Sequence, residues 1–420
     1  MNNLKITKIV NSAYENVPFY KNLYSGLNIL QIKNAHVKEL PTIDKNMLIN
    51  SIYLNFSNKY NFDDPNVALF KTSGSTGKCL DVYWLSYEYK SSMIELWLNR
   101  KKYYNIYPSD KLCVFFSTQQ FSSLDLSSQI VAYSKNCMIV KKLHLSNKNL
   151  NYIYRKIYEY SPRWMILQPS VAVILCTYIK KNNLPKFVNL EYVELTGEFL
   201  SRKVRDLILE VLNCKIANQY GCTEVNSIAY ECPNGHMHIS KCSNFVEIIR
   251  DGHTANYGEY GFVHVTSLNN SLMPFIRYNT GDIGCIYPSV ACDCGNSGEI
   301  LDIKNGRSIE FAVSNKGELI NTGIFVYVFE FINRIMDNIV LQYQIVQNSY
   351  KQFTVKIVLD GFENYDYNKN LIITNFQNQI KQTHSFFEIC SFEFEFYEHL
   401  FPEERTGKLS FFKSFVKNDI

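Results

Sequence analysis

Between Leu112 and Leu212 short apolar runs alternate with helical patterns, and this alternation restricts the possible folds more than any other feature of the chain. The runs are Leu112 to Phe116, Met138 to Val140 and Met165 to Leu167. Helical spacing occupies Tyr87 to Arg100, Ser170 to Lys181 and Ser201 to Leu212, while Tyr192-Val193-Glu194-Leu195-Thr196-Gly197-Glu198 reads as a buried strand entering a polar turn. Strand, crossover helix, strand predicts an α/β sheet. From Phe245 the pattern changes to polar–apolar alternation with turns at Gly252, Gly258 and Gly261, as expected of an antiparallel β subdomain. Upstream, Ile6 to Leu23 has helical spacing interrupted by Pro18, and a further helix is expected to start near Thr42-Ile43-Asp44-Lys45.

A boundary is expected near Asn305-Gly306-Arg307. Beyond it, a hairpin over Ile339 to Leu359, a helix over Asn368 to Gln382 and a strand over Phe392 to Tyr397 suffice for a small α+β domain. The expected organisation is a large α/β domain over residues 1–306 with an antiparallel subdomain, then a small α+β domain over 307–420. Hydrophobic residues make up 46% of the chain, enough to give both units real cores.

Charge and composition narrow the function classes. The net charge of +4 is spread without any block of like charges, so neither nucleic acid nor an anionic membrane is an expected partner. The first residues lack a signal peptide's apolar run, and Trp164 to Ile179 is broken by Gln168 and Pro169, so no membrane span and a cytoplasmic location are expected. In that setting the 12 cysteines are thiols or metal ligands rather than disulfides.

The strongest local signal is the run Thr72, Ser73, Gly74, Ser75, Thr76, Gly77, Lys78. Its glycines permit close approach, its hydroxyls and amides donate hydrogen bonds, and its lysine supplies charge, the composition of a phosphate cradle. It does not fit the Walker pattern, which needs glycine where Thr72 stands and Ser or Thr where Cys79 stands. An ordinary P-loop ATPase is therefore disfavoured. Behind the loop come Tyr220-Gly221-Cys222-Thr223-Glu224, Arg277-Tyr278-Asn279-Thr280-Gly281-Asp282, Asn305-Gly306-Arg307 and Arg405-Thr406-Gly407-Lys408.

In number and order these motifs resemble the adenylate-forming superfamily of acyl-CoA ligases, nonribosomal adenylation domains and luciferases. Ala13-Tyr14-Glu15-Asn16-Val17-Pro18-Phe19-Tyr20, Leu40-Pro41-Thr42 and Met273-Pro274-Phe275-Ile276-Arg277-Tyr278 are similar to the phenylacetate–CoA ligase branch. The resemblance implies that Thr72 to Lys78 hold the β- and γ-phosphates of ATP. It places Gly197, Glu198, Tyr220 and Gly221 about the nucleotide, with Gly197 and Glu198 on the adenine side. Thr223 would bond the α-phosphate, Glu224 would bind Mg²⁺, and Asp282 and Arg307 would bond the ribose. Lys408, on a mobile small domain hinged near Arg307 to Glu310, would neutralise charge between the substrate carboxylate and the α-phosphate. Cys79 departs from the family's usual proline.

Cys232, Cys292 and Cys294 with a histidine from the knuckle Cys232-Pro233-Asn234-Gly235-His236-Met237-His238 can complete a closed tetrahedral Cys₃His zinc site. The resemblance selects His238 rather than His236 and leaves Cys242 as a spare. The expected activity is ATP-dependent conversion of a carboxylic acid, aryl or arylacetic by resemblance, to an acyl-adenylate, followed by transfer to CoA. Transfer to an amine or a carrier-protein thiol is the alternative within the family. A non-enzymatic nucleotide- or zinc-binding protein is the rival from another class, and an intact Lys408, Glu224 and Asp282 argue against it. The branch also implies a homodimer.

Overall fold

In a computed structural model, the described residues are 2–28, 32, 37–49, 51, 54–72, 80–116, 130–141, 147–307, 311–315, 319–336, 339–360, 365–383, 385–401 and 409–416. The chain begins with helices α1 (Asn2–Asn16) and α2 (Pro18–Leu23). Proline is tolerated at the first turn of α2 because that N–H would lack an intrahelical partner anyway. Helix α3 (Lys45–Ile49) follows, with Asp44 Oδ1 accepting the Met47 N–H at 2.9 Å. Strands β1 (Val67–Lys71) and β2 (Asp81–Leu85) form a hairpin flanking residues 73–79. The helical pattern from Tyr87 to Arg100 proves to be two helices, α4 (Ser86–Ser92) and α5 (Ile94–Tyr104), separated at Met93.

Next come β3 (Leu112–Phe116), β4 (Val131–Ser134), β5 (Cys137–Lys141), α6 (Asn147–Tyr160), β6 (Trp164–Leu167), α7 (Pro169–Lys181), β7 (Tyr192–Thr196) and α8 (Arg202–Leu212). Ser201 caps α8 by accepting the Val204 N–H. Strand β8 (Lys215–Cys222) then turns into β9 (Asn226–Glu231), β10 (Met237–Ile239), β11 (Asn244–Arg250), β12 (His253–Thr254), β13 (Gly261–Ser267), β14 (Tyr278–Tyr287) and β15 (Ile300–Arg307).

Among the described residues these strands make one 13-stranded sheet in the order β12-β11-β13-β14-β15-β10-β9-β8-β7-β6-β3-β5-β4. Strands β5, β3, β6, β7 and β8 run parallel, as the crossover helices require. The antiparallel strands do not form a separate sheet; they extend the parallel one through β9, which pairs antiparallel with β8. Helices α6, α7 and α8 cover one face of the parallel half, burying Ile153, Ile157, Val171, Ile174, Leu207 and Ile208 against it. Between α5 and the sheet lies a buried Arg100–Glu194 ion pair, with the Arg100 guanidinium over the rings of Trp97 and Trp164.

The remainder contains β16 (Phe311–Val313), β17 (Leu319–Asn321), α9 (Gly323–Ile335), β18 (Val340–Ser349), β19 (Gln352–Leu359), α10 (Tyr365–Thr383), β20 (Ser391–Tyr397) and β21 (Phe412–Ser414). Strands β20-β19-β18-β21 form a four-stranded sheet. Helices α9 and α10 pack on it through Phe325, Phe329, Ile372 and Phe376, a core with its own aromatic centre.

The amino-terminal helices are tied to the antiparallel half by a specific bond. Tyr20 is buried, its hydroxyl donates to the Pro274 carbonyl at 2.7 Å and it accepts the Ile276 N–H at 3.1 Å. Two sequence motifs more than 250 residues apart therefore share one phenol. Arg277, at φ 51°, pairs with buried Glu247 and donates to the Leu40 carbonyl, adding the third motif to the cluster. Tyr20→Phe leaves both backbone groups unpaired in the core, and is expected to lower unfolding free energy by about 1–3 kcal/mol in a urea titration.

Candidate active site

The site gathers where the parallel half of the sheet meets the antiparallel half. Strand β7 ends at Gly197, whose φ of +82° turns the chain sharply before Glu198. Beside it β8 carries Tyr220 and Gly221, and the turn into β9 carries Thr223 and Glu224. Gly221 is required by space. A Cβ there would collide with the Asn226 carbonyl oxygen and stand 2.7 Å from Gln219 Nε2.

The Tyr220 hydroxyl donates to Asp282 Oδ2 at 2.8 Å and lies 3.3 Å from Thr280 Oγ1. Burial, and then the Asp282 charge, push this phenol well above its ordinary pKa, so it stays a donor. Thr280 Oγ1 accepts the Asp282 N–H at 3.2 Å and donates to the Val263 carbonyl, fixing the backbone that presents Asp282. In the β14–β15 pairing Asp282 stands opposite Arg307, so the sheet register brings these two sequence-predicted residues together.

Glu224 is buried, at 6% exposure, with its Oε1 accepting the Tyr278 hydroxyl at 2.8 Å. Tyr278 is held in place by a bridge to Ile43, which in turn receives the Asn279 N–H on its carbonyl. The phosphate-loop candidates Ser73, Gly74, Ser75, Thr76, Gly77 and Lys78, together with Cys79, lie outside the described residues, as does Lys408. Thr72, at the loop's base, is buried; its Oγ1 accepts the Leu80 N–H at 2.8 Å and the Lys45 ammonium at 3.0 Å. Thr72 and Leu80 thus close the loop's neck, and Lys45 adds a cation there. Sequence reasoning gave Lys45 and Tyr278 no role. Tyr278 lies inside a recognised motif, but Lys45 had no signal beyond a helix start, because its partner is 27 residues away.

The cysteine cluster stands apart from this site. Cys232 Sγ and Cys292 Sγ are 3.8 Å apart, Cys294 Sγ is 3.2 Å from His238 Nε2, and all four candidate ligand atoms lie within 4.8 Å of one another. His238 Nδ1 lies 2.7 Å from the Gly298 carbonyl, which fixes the tautomer with Nδ1 protonated and Nε2 turned to the thiols. Burial lowers the His238 pKa and so favours its neutral form. The cluster joins the β9–β10 turn to the β14–β15 connection. Tyr103 of α5 lies beside it, 3.8 Å from Cys294 Sγ.

The small domain contacts the large one at Glu198, Lys203 and Lys181. The Leu409 N–H donates to Glu198 Oε1 at 3.0 Å, Lys203 pairs with Asp360 at 2.9 Å, and Lys181 pairs with Glu398.

Residues 312–415 match the CapK C-terminal domain family. The whole chain is 23% identical over 425 residues to protein CapK of Staphylococcus aureus, covering 100% of this chain and 89% of that protein. It is 28% identical over 199 residues to phenylacetate-coenzyme A ligase of Thermus thermophilus, covering 45% of this chain and 43% of that enzyme. In structure it is similar to 2-hydroxyisobutyryl-CoA ligase. Against that enzyme's postadenylation state, in complex with R3-HIB-AMP, the TM-score is 0.74 at 14% identity, covering 98% of this chain and 88% of that chain. Against its thioesterification state with 2-HIB-AMP and CoA, the TM-score is 0.63 at 15% identity with the same coverage.

Gly221→Ala is expected to force β8 and β9 apart and to cost about 1–3 kcal/mol of stability by overpacking. Gly26→Ala has open space around its Cβ and serves as the control, with an unchanged melting temperature in the same thermal scan.

Proposed function

We propose, from the premise that this chain has the fold of the adenylate-forming superfamily, that it activates a carboxylic acid with ATP to an acyl-adenylate and passes the acyl group to CoA. The observation that carries this reading is the junction of the two sheet halves. There Tyr220, Asp282 and the register position of Arg307 converge with Glu224 and Tyr278, and Tyr278 pairs with Ile43, two residues before the Lys45 that bonds Thr72.

Each residue's proposed role follows from its chemistry. Asp282, already accepting from Tyr220, has carboxylate acceptor capacity for a ribose hydroxyl, and Arg307 opposite it would donate to the same sugar. Tyr220, Gly197, Gly221 and Glu198 would border the nucleotide. Thr223 would donate to the α-phosphate. Glu224 fits Mg²⁺: its carboxylate is a hard oxygen donor, buried and oriented by Tyr278. Bound there, the ion would neutralise phosphate charge. Thr72 to Lys78 would cradle the β- and γ-phosphates, with Lys45 adding charge at the loop's base. Lys408 would face the charge that develops as pyrophosphate leaves.

The complex of 2-hydroxyisobutyryl-CoA ligase with an adenylate and CoA supports CoA as acceptor. The higher TM-score against the postadenylation state supports a small domain placed as in that state rather than as in the thioesterification state. The phenylacetate-coenzyme A ligase likeness supports an aryl or arylacetic acid as substrate. A homodimer remains the arrangement that the resemblance implies.

If Lys408 acts as proposed, Lys408→Ala is expected to cut acid-dependent ATP–pyrophosphate exchange by about 10²–10³ with ATP affinity nearly unchanged. Conversion of a supplied acyl-adenylate to thioester should suffer far less. Equal losses in both assays would contradict a lysine withdrawn between two half-reactions.

The cysteine cluster fits zinc. A tetrahedral ion with Zn–S bonds of about 2.3 Å sets its sulfurs about 3.8 Å apart, the separation of Cys232 and Cys292. With Cys232, His238, Cys292 and Cys294 as four protein ligands, the centre would be closed and structural. Metal analysis is expected to find about one zinc per chain, and Cys292→Ser to lower zinc content and melting temperature together. Full stability without bound metal would contradict the assignment.

A further inference from the structure

Glu198 belongs by resemblance to the adenine side of the site, yet in this structure its carboxylate has taken a partner from the other domain. Its Oε1 accepts the backbone N–H of Leu409 at 3.0 Å, across 211 residues of sequence. Leu409 is the residue after Lys408. The Leu409 N–H belongs to the peptide bond that joins the two residues, so the hydrogen bond is made next to the lysine in the chain.

Among the described residues, the ion pairs and apolar contacts named across this boundary are less directional. Lys203–Asp360 and Lys181–Glu398 are partly exposed ion pairs, which contribute little and tolerate movement. Leu341, Val358 and Leu400 join the core of the large domain, with Leu200 and Leu409 packed beside them, but apolar packing is non-directional. The Glu198 bond is different in kind. It is charge-assisted, it is made to the backbone, and the +82° turn at Gly197 aims it out of the line of β7.

We infer that Glu198 is a positioning residue that docks the segment carrying Lys408, setting the register in which the lysine enters the adenylation site. The inference rests on the adenylation reading above for the lysine's role. The docking contact itself stands on geometry alone. Because an amide oxygen also accepts a hydrogen bond, glutamine should substitute where alanine cannot.

The test compares Glu198→Ala, Glu198→Gln, Lys408→Ala and the Glu198→Ala/Lys408→Ala double variant in the full chain, using two readouts. In pyrophosphate exchange, Glu198→Ala should lower kcat about tenfold or more, the range for loss of a hydrogen bond to a charged group, while KM for ATP stays put. Glu198→Gln should retain most activity, and the double variant should be no slower than Lys408→Ala. In hydrogen–deuterium exchange, the fragment containing Leu409 should be protected in wild type and in Glu198→Gln and lose protection in Glu198→Ala. A raised KM for ATP with kcat intact, or glutamine as damaging as alanine, would make Glu198 an adenine contact only and overturn the inference. If the wild-type protein catalyses no exchange with any acid, the adenylation reading fails. Amide protection then decides the docking contact by itself, since equal protection in all three proteins overturns it and selective loss in alanine upholds it.

Discussion

The close approach of β8 to β9 at Gly221 is the constraint on which the candidate site depends. Strand β8 pairs parallel with β7 on one side and antiparallel with β9 on the other. Any side chain at position 221 would collide with the Asn226 carbonyl. This close pairing lets two sheet halves with different hydrogen-bonding geometry continue as one. It also delivers residues from both halves to one place: Gly197 and Glu198 from the end of β7, Tyr220 from β8, and Asp282 from β14, further along the same sheet. The Tyr220–Asp282 bond spans that distance directly.

Around this junction the supports are redundant. Tyr278 orients Glu224 and is itself pinned by Ile43, which follows the Leu40-Pro41-Thr42 motif. Arg277 in left-handed backbone links Glu247 to Leu40, and Tyr20 links the amino-terminal helices to Pro274 and Ile276. The branch-like motifs of the amino-terminal region and of residues 273–278 are thus parts of one buried buttress behind the site. Their residue types follow from hydrogen-bonding needs there: a phenol that both donates and accepts, and a guanidinium facing a buried carboxylate.

Much of this was legible from residues alone. Short apolar runs and crossover helices determine the parallel half, and every run named between Leu112 and Leu195 lies in a strand of it. Continuity of the parallel and antiparallel parts was not legible, because β9 pairs with β8 through register that local alternation does not encode. The break at Met93 was hidden for a related reason: apolar spacing runs through it without interruption. In the candidate site, glycine, acid and aromatic motifs single out Tyr220, Glu224 and Asp282 as candidates, whereas Lys45 depends on a tertiary contact with Thr72. Glu198 could be singled out from its motif, but its bond to Leu409 requires the two domains to be placed together. The cysteine cluster was the most legible feature of all, since a thiol pair one residue apart and a distant Cys-and-His knuckle have few other uses, and the four side chains do converge.

The central claim is that this junction performs carboxylate activation. Its most direct test is ATP–pyrophosphate exchange by the purified chain with Mg²⁺ and a panel of aliphatic, aryl and arylacetic acids. The account predicts exchange that is strictly acid-dependent, saturates with one class of acid and requires no CoA. Tight ATP binding with no exchange for any acid, or exchange indifferent to the acid supplied, would contradict it.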